Sequence, residues 1–496
     1  MKRVGVAMAA AVAVALGLAF TLGLLGGTPR GAGDNGDGYR LFCGAGLVPA
    51  TPTHTANWRG GVVLDFDRGA PCADPQPSSA GTILKAAAGG HGPFSLTTLG
   101  WTYVLLVFLV TLLAAWAVQA HGSRRLLFLL PPAAPLLEPP FARFFLSTFG
   151  EPAGLFGAYT MLCGVAVIAA TRVEDGVARL AALVLVGAGG VVAGLAKIGF
   201  LPLLVMAVLV CAVTGARLGH GRWWTARLIG PALAVMLALE AIVPVRASLA
   251  WQDRHFAEAN AVNVVYTLAL VDLPGSAPAL GLPAAAQDKA GDGYFPKGPD
   301  AQAGGEVVRS DPHGIRNKVW TMLFERPAVL ARVTGIAMEA TYDRGLTYLP
   351  DQPWTPASTP PVSTAAADNG VGFGAGVLQH WAAEVSLPGW PSLLVLIGMA
   401  AGVVALVRRR GRYGLVPGIA AASALGVAAM TVLGDGYFEL AKHVWLAGYL
   451  LDVTALSLGI VLVPALVRAR ARTATGETAT PAIGLPGQGP RQGPPR

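Results

Sequence analysis

Four short polar clusters hold the side chains of this sequence that could do chemistry, and each adjoins a long apolar run. The first cluster is Asp34-Asn35-Gly36-Asp37-Gly38-Tyr39-Arg40. A short carboxylate held at a bilayer surface, beside a lipid-linked substrate, could take the proton of an acceptor hydroxyl or orient that hydroxyl. A Gly-rich acidic segment is equally typical of a solvated turn. The residue types alone leave both interpretations open.

The second and third clusters centre on Glu151 and Lys197. Glu151 precedes Pro152, and the pair follows Ser147 and Thr148 in the segment Phe-Leu-Ser-Thr-Phe-Gly-Glu-Pro. An acidic residue and a proline also favour the first turn of a helix, so a structural role is an equal alternative for Glu151. Lys197 lies in a hairpin between two apolar runs. Its ammonium group either neutralises a lipid phosphate or extends to the headgroups of the bilayer.

The fourth cluster runs from Gly434 to His443 and contains Asp435, Glu439 and Lys442. Glu439 and Lys442 are three residues apart and therefore neighbours on a helix, where they form a local ion pair or belong to a functional site.

Two further basic residues, Arg246 and Arg254, follow the seventh apolar run. Together with Lys197 and Lys442, they are candidates for binding a donor phosphate.

The composition indicates what must position these clusters. The chain has 496 residues, of which 53% are hydrophobic and 13% charged. Soluble domains carry roughly 25% charged residues, so this chain has too little polar surface for a soluble protein of its size. A cytosolic enzyme, a fibre and a disordered protein are therefore excluded. The sequence predicts an all-α polytopic membrane protein, and membrane orientation explains the net charge of +8.

Ten apolar runs are candidate transmembrane helices. The run Leu126–Leu137 is short and contains Pro131, Pro132 and Pro135, so it predicts a kinked or incomplete span. The first run, which is too long for a signal peptide, is expected to stay as an uncleaved helix. The ten runs are Val4–Leu25, Leu99–Ala120, Leu126–Leu137, Gly154–Thr171, Leu180–Ala196, Phe200–Thr214, Leu228–Val245, Pro391–Val407, Leu415–Leu433 and His443–Val467.

Basic residues predict the orientation. With a cytoplasmic N-terminus, half of the 36 Lys and Arg residues fall on the inside, on far fewer loop residues than lie outside. The predicted protein is a multi-pass protein of the plasma (inner) membrane with both termini cytoplasmic. The expected segments are a first transmembrane helix (1–26), a first outer loop (27–98), helices 2–7 (99–245), a large outer loop (246–390), helices 8–10 (391–467) and a disordered tail (468–496). The two outer loops should form a small, mainly helical cap, in which Trp251–Leu273 and Ile315–Tyr342 are amphipathic helices.

The four cysteines divide between loop and span. Cys43 and Cys72 lie in the first outer loop and are predicted to form a disulfide, with two unpaired thiols as the alternative. Cys163 and Cys211 fall inside apolar runs, where they are expected to fill helix contacts.

The sequence predicts no cofactor. No Cys/His spacing resembles a zinc site, and there is no Asp-x-Asp triplet, although a divalent metal stays possible. No Gly-rich nucleotide loop follows a strand, which argues against a cytosolic nucleotide-sugar donor. Nucleic acid is not an expected partner.

The clusters, in this order along the chain, resemble the landmarks of bacterial glycan-biosynthesis hexose transferases of the GT-C glycosyltransferase superfamily. These landmarks are Asp34–Arg40, Ser147–Ala153 and Gly434-Asp435-Gly436 with Glu439–His443. The resemblance covers most of the chain up to about Val467. It implies a GT-C-like helical bundle and the transfer of a hexose from a polyprenyl-phosphate donor to an extracytoplasmic glycan or lipid acceptor.

The resemblance also implies roles for single residues. An acidic residue of the first outer loop is typically the catalytic base of an inverting mechanism, which is Asp37 here, with Asp34 and Glu151 as alternatives. The expected acceptor contacts are Ser147, Thr148, Asp435, Glu439 and His443. Three other functions stay open: a transporter, a non-catalytic scaffold, and a polysaccharide polymerase or ligase partner. A transporter is disfavoured because Glu240 and Asp452 are the only acidic residues in the predicted spans and no internal repeat is visible.

Overall fold

The computed structural model describes residues 2–54, 61–119, 122–217, 225–295, 302–342, 346, 349–358, 389–408 and 412–474. Within these ranges seven helices are long and apolar enough to cross a membrane. Two shorter apolar helices, Ile198–Val213 and Trp445–Val461, add to them. The prediction of an all-α polytopic membrane protein is confirmed.

The described α-helices vary in length from three to 39 residues. They are α1 (Lys2–Thr21), α2 (Tyr39–Phe42), α3 (Ser79–Ala88), α4 (Leu96–Val118), α5 (Leu130–Leu136), α6 (Pro139–Ala142), α7 (Glu151–Ala170), α8 (Gly176–Gly194), α9 (Leu201–Val213), α10 (Thr225–Asn263), α11 (Leu270–Asp272), α12 (Ser276–Ala279), α13 (Gly305–Ser310), α14 (Pro312–Phe324), α15 (Pro327–Glu339), α16 (Trp390–Arg408), α17 (Leu415–Asp435), α18 (Leu440–His443) and α19 (Trp445–Ala474).

Helix α7 is the centre of the bundle, since every one of its residues is buried. It packs closely on α8 through glycines. A side chain at Gly157 would collide with the backbone of Gly189 and Ala193, and one at Gly189 with the backbone of Met161. Small residues allow this approach, and van der Waals contact between backbones then stabilises the helix pair in a lipid environment. This packing fixes Glu151, the first residue of α7, relative to the loop that follows α8.

The short third apolar run forms a broken span, as the sequence predicts. Residues Ser123–Leu129 form a 3₁₀ helix that continues into α5, and α6 follows after Glu138. The aromatic residues after this span are enclosed by the bundle. Phe144 and Phe145 are fully buried, and the ring of Phe144 lies 4.4 Å from that of Trp445. They belong to the core because the broken span turns the chain back into the bundle.

Helix α10 does not end where the apolar run predicts. The expected boundary between the seventh span and the outer loop is Val245, yet the helix continues to Asn263 and then as a π-helix over Val264–Ala269. Its 39 residues extend for about 58 Å, and a bilayer core is roughly 30 Å thick. The C-terminal part of α10 therefore projects beyond the apolar bundle.

The described parts of residues 27–98 and 264–358 lie together at one end of the bundle, and we call them the cap. The cap is mostly helical, but it also contains a small antiparallel sheet that the sequence pattern did not predict: β1 (Leu47–Pro49), β2 (Asp65–Arg68) and β3 (Phe94–Ser95), in the order β1-β2-β3. The predicted helix Ile315–Tyr342 is two helices, α14 and α15. Pro327 starts the second one, because proline fits the first turn of a helix but not its interior.

Main-chain hydrogen bonds join the two parts of the cap. Gly33 N–H donates to the Pro350 carbonyl oxygen at 2.7 Å, and Val62 N–H donates to that of Gln352 at 2.7 Å. Arg143, which follows α6, contacts the buried Asp351 carboxylate at 2.5 Å and so ties the same segment to the bundle.

The predicted tail starts later than expected, since α19 extends to Ala474. The remaining predicted tail, 475–496, and the part of the large loop at 359–388 lie outside the described residues.

Cysteine labelling tests the predicted orientation. The native cysteines should react little with the labelling reagent, because Cys163 and Cys211 are buried and the other two are bonded to each other. We expect Ala285→Cys and Ala357→Cys, both exposed in the cap, to react with a membrane-impermeant maleimide in intact cells. Ser123→Cys, exposed at the other end of the bundle, should react only after permeabilisation. The reverse pattern would contradict the orientation.

Candidate functional site

A cavity of about 1080 Å³ opens where the cap meets the bundle. Its walls come from the loop before α2, the start of α9, the projecting part of α10, and the segment that joins α17 to α18. Three of the four polar clusters contribute side chains that line it. These side chains are Asp37, Lys197, Asp435, Glu439 and His443.

Asp37 lies on the cavity wall between two cations. Its carboxylate forms an ion pair with the Lys442 ammonium, and its Oδ1 lies 2.9 Å from Arg40 Nη2. Burial alone raises the pKa of Asp37, but Lys442 and Arg40 outweigh burial and hold that pKa well below its usual range. Asp37 is therefore ionised at any physiological pH, as an acceptor of a hydroxyl hydrogen bond must be.

Asp34 holds the loop that presents Asp37. Its Oδ1 accepts hydrogen bonds from the backbone N–H of Gly36, at 2.8 Å, and of Gly38, at 3.0 Å. Gly38 packs so closely on Thr148 and Asp34 that a side chain there would collide with both. Burial raises the pKa of Asp34. Asp34 does not line the cavity, so its geometry is that of a residue that positions Asp37.

Lys197 and Glu151 form an ion pair where the cavity adjoins the start of α7. Lys197 Nζ lies 3.0 Å from Glu151 Oε1; Glu151 is buried, whereas Lys197 is half-buried and lines the cavity. The two loops meet because Gly150 packs on the backbone of Ala196. Glu151 thus orients Lys197 and does not itself reach the cavity. The neighbouring apolar wall consists of Ile198, Phe200 and Met430.

Asp435 and His443 face each other across the segment that joins α17 to α18. Asn263 Nδ2 donates to Asp435 Oδ1 at 2.6 Å, and His443 Nδ1 lies 3.5 Å from Asp435 Oδ2. Burial and the nearby Lys197 and Lys442 lower the pKa of His443 well below its usual value. His443 is therefore neutral near pH 7. The polar contacts of Asp435 are thus a hydrogen bond from the Asn263 amide and a neutral imidazole, not an ion pair with a positive one.

Glu439 has a strained backbone at the cavity wall. Its φ of 42° lies in the left-handed region, which is uncommon for residues other than glycine. This conformation directs the Glu439 carboxylate towards Lys442 Nζ, 3.5 Å away. Lys442 itself is almost fully buried, with 1% of its side chain exposed. Strained residues of this kind occur preferentially at functional sites.

Besides Asp34 and Glu151, five predicted site residues do not line the cavity. Ser147 is buried and its Oγ donates to the Phe144 carbonyl oxygen at 2.6 Å, while Thr148 packs on Gly38, so neither lines the cavity. Arg246 is exposed on α10, and Arg254 is paired with Asp74 at 3.1 Å on the far side of α10. Thr148 supports the loop of Asp37 from behind, whereas Ser147 bonds within its own turn, and the two arginines do not face the cavity. Lys442 does not line the cavity either, but its ammonium group contacts the carboxylates of Asp37 and Glu439, which do.

The sequence reasoning missed several residues that do line the cavity. Arg40 was seen only as the end of a motif, yet its guanidinium lies 4.1 Å from the centre of the Phe256 ring and pairs with Asp37. Asn260 and Asn263 fall within the predicted amphipathic helix Trp251–Leu273 but were not singled out as site residues. Their spacing from Phe256, of four and seven residues, is helical and was the available signal.

The predicted disulfide is present in the structure. Cys43 directly follows α2, and its bond to Cys72 fastens the helix that carries Arg40 to the rest of the cap. We expect only Cys163 and Cys211 to alkylate in denaturant without reductant, and all four cysteines after reduction. The variant Cys43→Ser/Cys72→Ser should lose about 2–4 kcal/mol of unfolding free energy, measured by denaturant unfolding in detergent. Free alkylation of all four cysteines before reduction would contradict the pairing.

No group of three or more His, Cys, Asp or Glu side chains in the described ranges is arranged to hold a metal ion. The charged or titratable side chains that line the cavity include Asp37, Asp435 and Glu439 and the cations Arg40 and Lys197.

Comparison with known proteins gives one match. A family model described as the YfdI N-terminal transmembrane domain matches residues 1–280. This range includes Asp37, Arg40, Lys197 and the whole of α10, and it ends before the segment of Asp435. No curated protein and no solved structure matches the chain.

Proposed function

The chain belongs to the family of the YfdI N-terminal transmembrane domain, and we propose that this membrane protein is a glycosyltransferase of the GT-C type. It transfers a hexose from a polyprenyl-phosphate donor to an extracytoplasmic glycan or lipid acceptor in cell-envelope glycan assembly. The observation that carries the proposal is a cavity between the cap and the bundle, where an ionised carboxylate, two cations and an apolar wall meet.

The apolar wall and the cations suit a lipid-linked phosphate. Ile198, Phe200 and Met430 line the cavity beside Lys197, so the hydrocarbon of the donor contacts the first three and its phosphate contacts the ammonium. Arg40, with about a third of its side chain exposed, supplies a second donor of charge-assisted hydrogen bonds. Both cations stabilise the negative charge that develops on the departing phosphate.

Asp37 is the base of the proposed reaction. The acceptor hydroxyl oxygen attacks the sugar carbon that bears the phosphate, and its proton passes to the Asp37 carboxylate. The bond from that carbon to the phosphate oxygen breaks, the electron pair stays on the polyprenyl phosphate, and the configuration at the carbon inverts. Because its pKa is low, Asp37 takes the proton late, when the attacking hydroxyl has become acidic through bond formation.

The test uses the full chain purified into proteoliposomes. We expect it to release polyprenyl phosphate from polyprenyl-phosphate hexoses and to pass the labelled sugar to a glycolipid fraction of bacterial membranes. UDP-hexoses supplied on either side of the membrane should give no transfer. Turnover of UDP-hexose instead, or no release of polyprenyl phosphate from a panel of glucose, mannose and galactose donors, would overturn the proposal.

A further inference from the structure

The projecting part of α10 has two chemically distinct faces. Its charged side chains do not line the cavity, and three of them are paired with other elements. Asp253 lies 3.1 Å from the His313 imidazole, Arg254 is paired with Asp74, and Glu258 lies 3.4 Å from the Arg309 guanidinium. All three pairs are exposed, and a single exposed ion pair contributes little to stability, so the loss of one of them should leave α10 in place.

The face towards the cavity carries no charge. Trp251 and Ala259 line the cavity at its edge, and the centre of the face is formed by Gln252, Phe256, Asn260 and Asn263, whose spacing of four, four and three residues puts them on one side of the helix. Asn263 is engaged by Asp435 and by the Tyr294 N–H, at 2.7 Å. The half-buried amides of Gln252 and Asn260 have no hydrogen-bond partner within the described part of the chain. Two amides, each able to donate and accept, are thus available to a ligand.

Amide and aromatic groups together suit a neutral sugar. Each amide can pair with hydroxyl groups in both directions, and aromatic rings contact the apolar C–H face of a pyranose. Phe295 and Phe438 add two rings to the same cavity, with centroids 6.2 Å apart. The uncharged face extends for about 16 Å from Gln252 to Asn263, which is longer than one hexose ring. The single hexose of the donor would leave most of it empty.

We infer that the Gln252–Asn263 face of α10 binds a neutral oligosaccharide, which is the acceptor in the proposed reaction. Naming this ligand as the acceptor rests on the proposed function, whereas the binding itself does not.

Electrostatics disfavour an acidic sugar at this face. The carboxylates of Asp435 and Glu439 line the adjoining wall, and a uronic acid would meet them at short range. The cations near this wall do not give it a net positive charge, because Arg40, Lys197 and Lys442 are matched by the carboxylates of Asp37, Glu151 and Glu439. The site should therefore prefer uncharged saccharides to uronates of the same length.

Saturation-transfer NMR on the full chain in nanodiscs tests this inference directly. The probes are neutral trisaccharides of glucose, mannose and galactose, with trigalacturonic acid as the charged counterpart. The informative variants are Asn260→Leu and Gln252→Leu, which preserve volume and remove hydrogen bonding. Glu258→Gln changes the opposite face of the same helix and is the matched control, and thermal unfolding of each variant shows that it is folded.

We expect at least one neutral trisaccharide to bind, at least fivefold more tightly than trigalacturonic acid. Asn260→Leu and Gln252→Leu should each weaken this binding by roughly fivefold or more, and Glu258→Gln by less than twofold. Binding of no neutral trisaccharide, equal binding of the uronate, or equal losses on both faces would overturn the inference. A chain that binds the trisaccharide but releases no polyprenyl phosphate would retain this site and lose the proposed function.

Discussion

The Asp37→Asn variant is expected to transfer sugar roughly 10²–10⁴-fold more slowly than the wild type, because a positioned general base contributes about that factor. The substitution keeps the size of the side chain and its place on the cavity wall, so donor binding should change little. The loss should therefore appear in kcat rather than in the KM for the donor. The measurement is release of polyprenyl phosphate in proteoliposomes, with donor and acceptor varied in turn.

The same variant should also be less stable, which the sequence did not suggest. A Gly-rich loop predicts little cost for the substitution, but Asp37 is a partner of the almost fully buried Lys442. Loss of the carboxylate leaves that ammonium with Glu439, 3.5 Å away, at a cost of roughly 1–3 kcal/mol. The control is Asp37→Asn/Lys442→Met, which removes both charges. It should recover stability without recovering transfer, and recovered transfer would exclude Asp37 as the base.

Removal of the phosphate-binding cations should give the second large effect. We expect Lys197→Gln and Arg40→Gln each to raise the KM for the donor by roughly 10–100-fold, since a hydrogen bond to a charged group contributes about 1.5–3 kcal/mol. Arg254→Gln is the matched control, because Arg254 lies on the far side of α10 and is paired with Asp74. It should leave the KM within about twofold of the wild type. Equal effects of all three substitutions would contradict a specific phosphate site.

Arg40→Gln should have a further consequence for the pH profile. Arg40 and Lys442 hold the pKa of Asp37 low, so the active, ionised carboxylate persists to low pH in the wild type. Removing one cation raises the pKa of Asp37 towards its ordinary value. Activity, which requires the ionised form, should then fall at a higher pH on the acidic side. Lys197→Gln, further down the order of charges acting on Asp37, should move this acidic limb less.

Hydropathy and basic residues predict most of the bundle, because apolar length and the satisfaction of backbone polar groups dictate helices in a membrane. The broken span at Leu126–Leu137 was predictable from its prolines. The continuity of α10 was not, because the sequence predicts a span ending at Val245 and a separate helix over Trp251–Leu273, and nothing in the apolar run shows that the two are one helix. The sheet β1–β3 was missed for a different reason. Its strands have two to four residues, too few for an alternating pattern to be visible.

The sequence predicted which clusters of residues form the candidate site, but it did not predict how their side chains are arranged in space. Asp37, Lys197 and Glu439 were singled out because charges beside apolar runs are costly and therefore informative. Their partners depend on the tertiary fold: Lys442 is 405 residues from Asp37 along the chain, and Lys197 is 46 from Glu151. Contacts between residues so far apart along the chain cannot be inferred from the sequence, yet they place Asp37 on the cavity wall and Glu151 behind it. The resemblance implied that Ser147 and Thr148 contact the acceptor, but both lie behind the wall of the cavity.

The position of the donor in the cavity tests the central claim most directly. The measurement is a cryo-electron microscopy map of the Asp37→Asn variant with a polyprenyl-phosphate hexose, in which slow turnover preserves the complex. We predict density for the phosphate between Arg40 and Lys197, for the lipid along Ile198, Phe200 and Met430, and for the hexose facing residue 37. Density for the donor outside the cavity, or with its phosphate remote from both cations, would contradict the account.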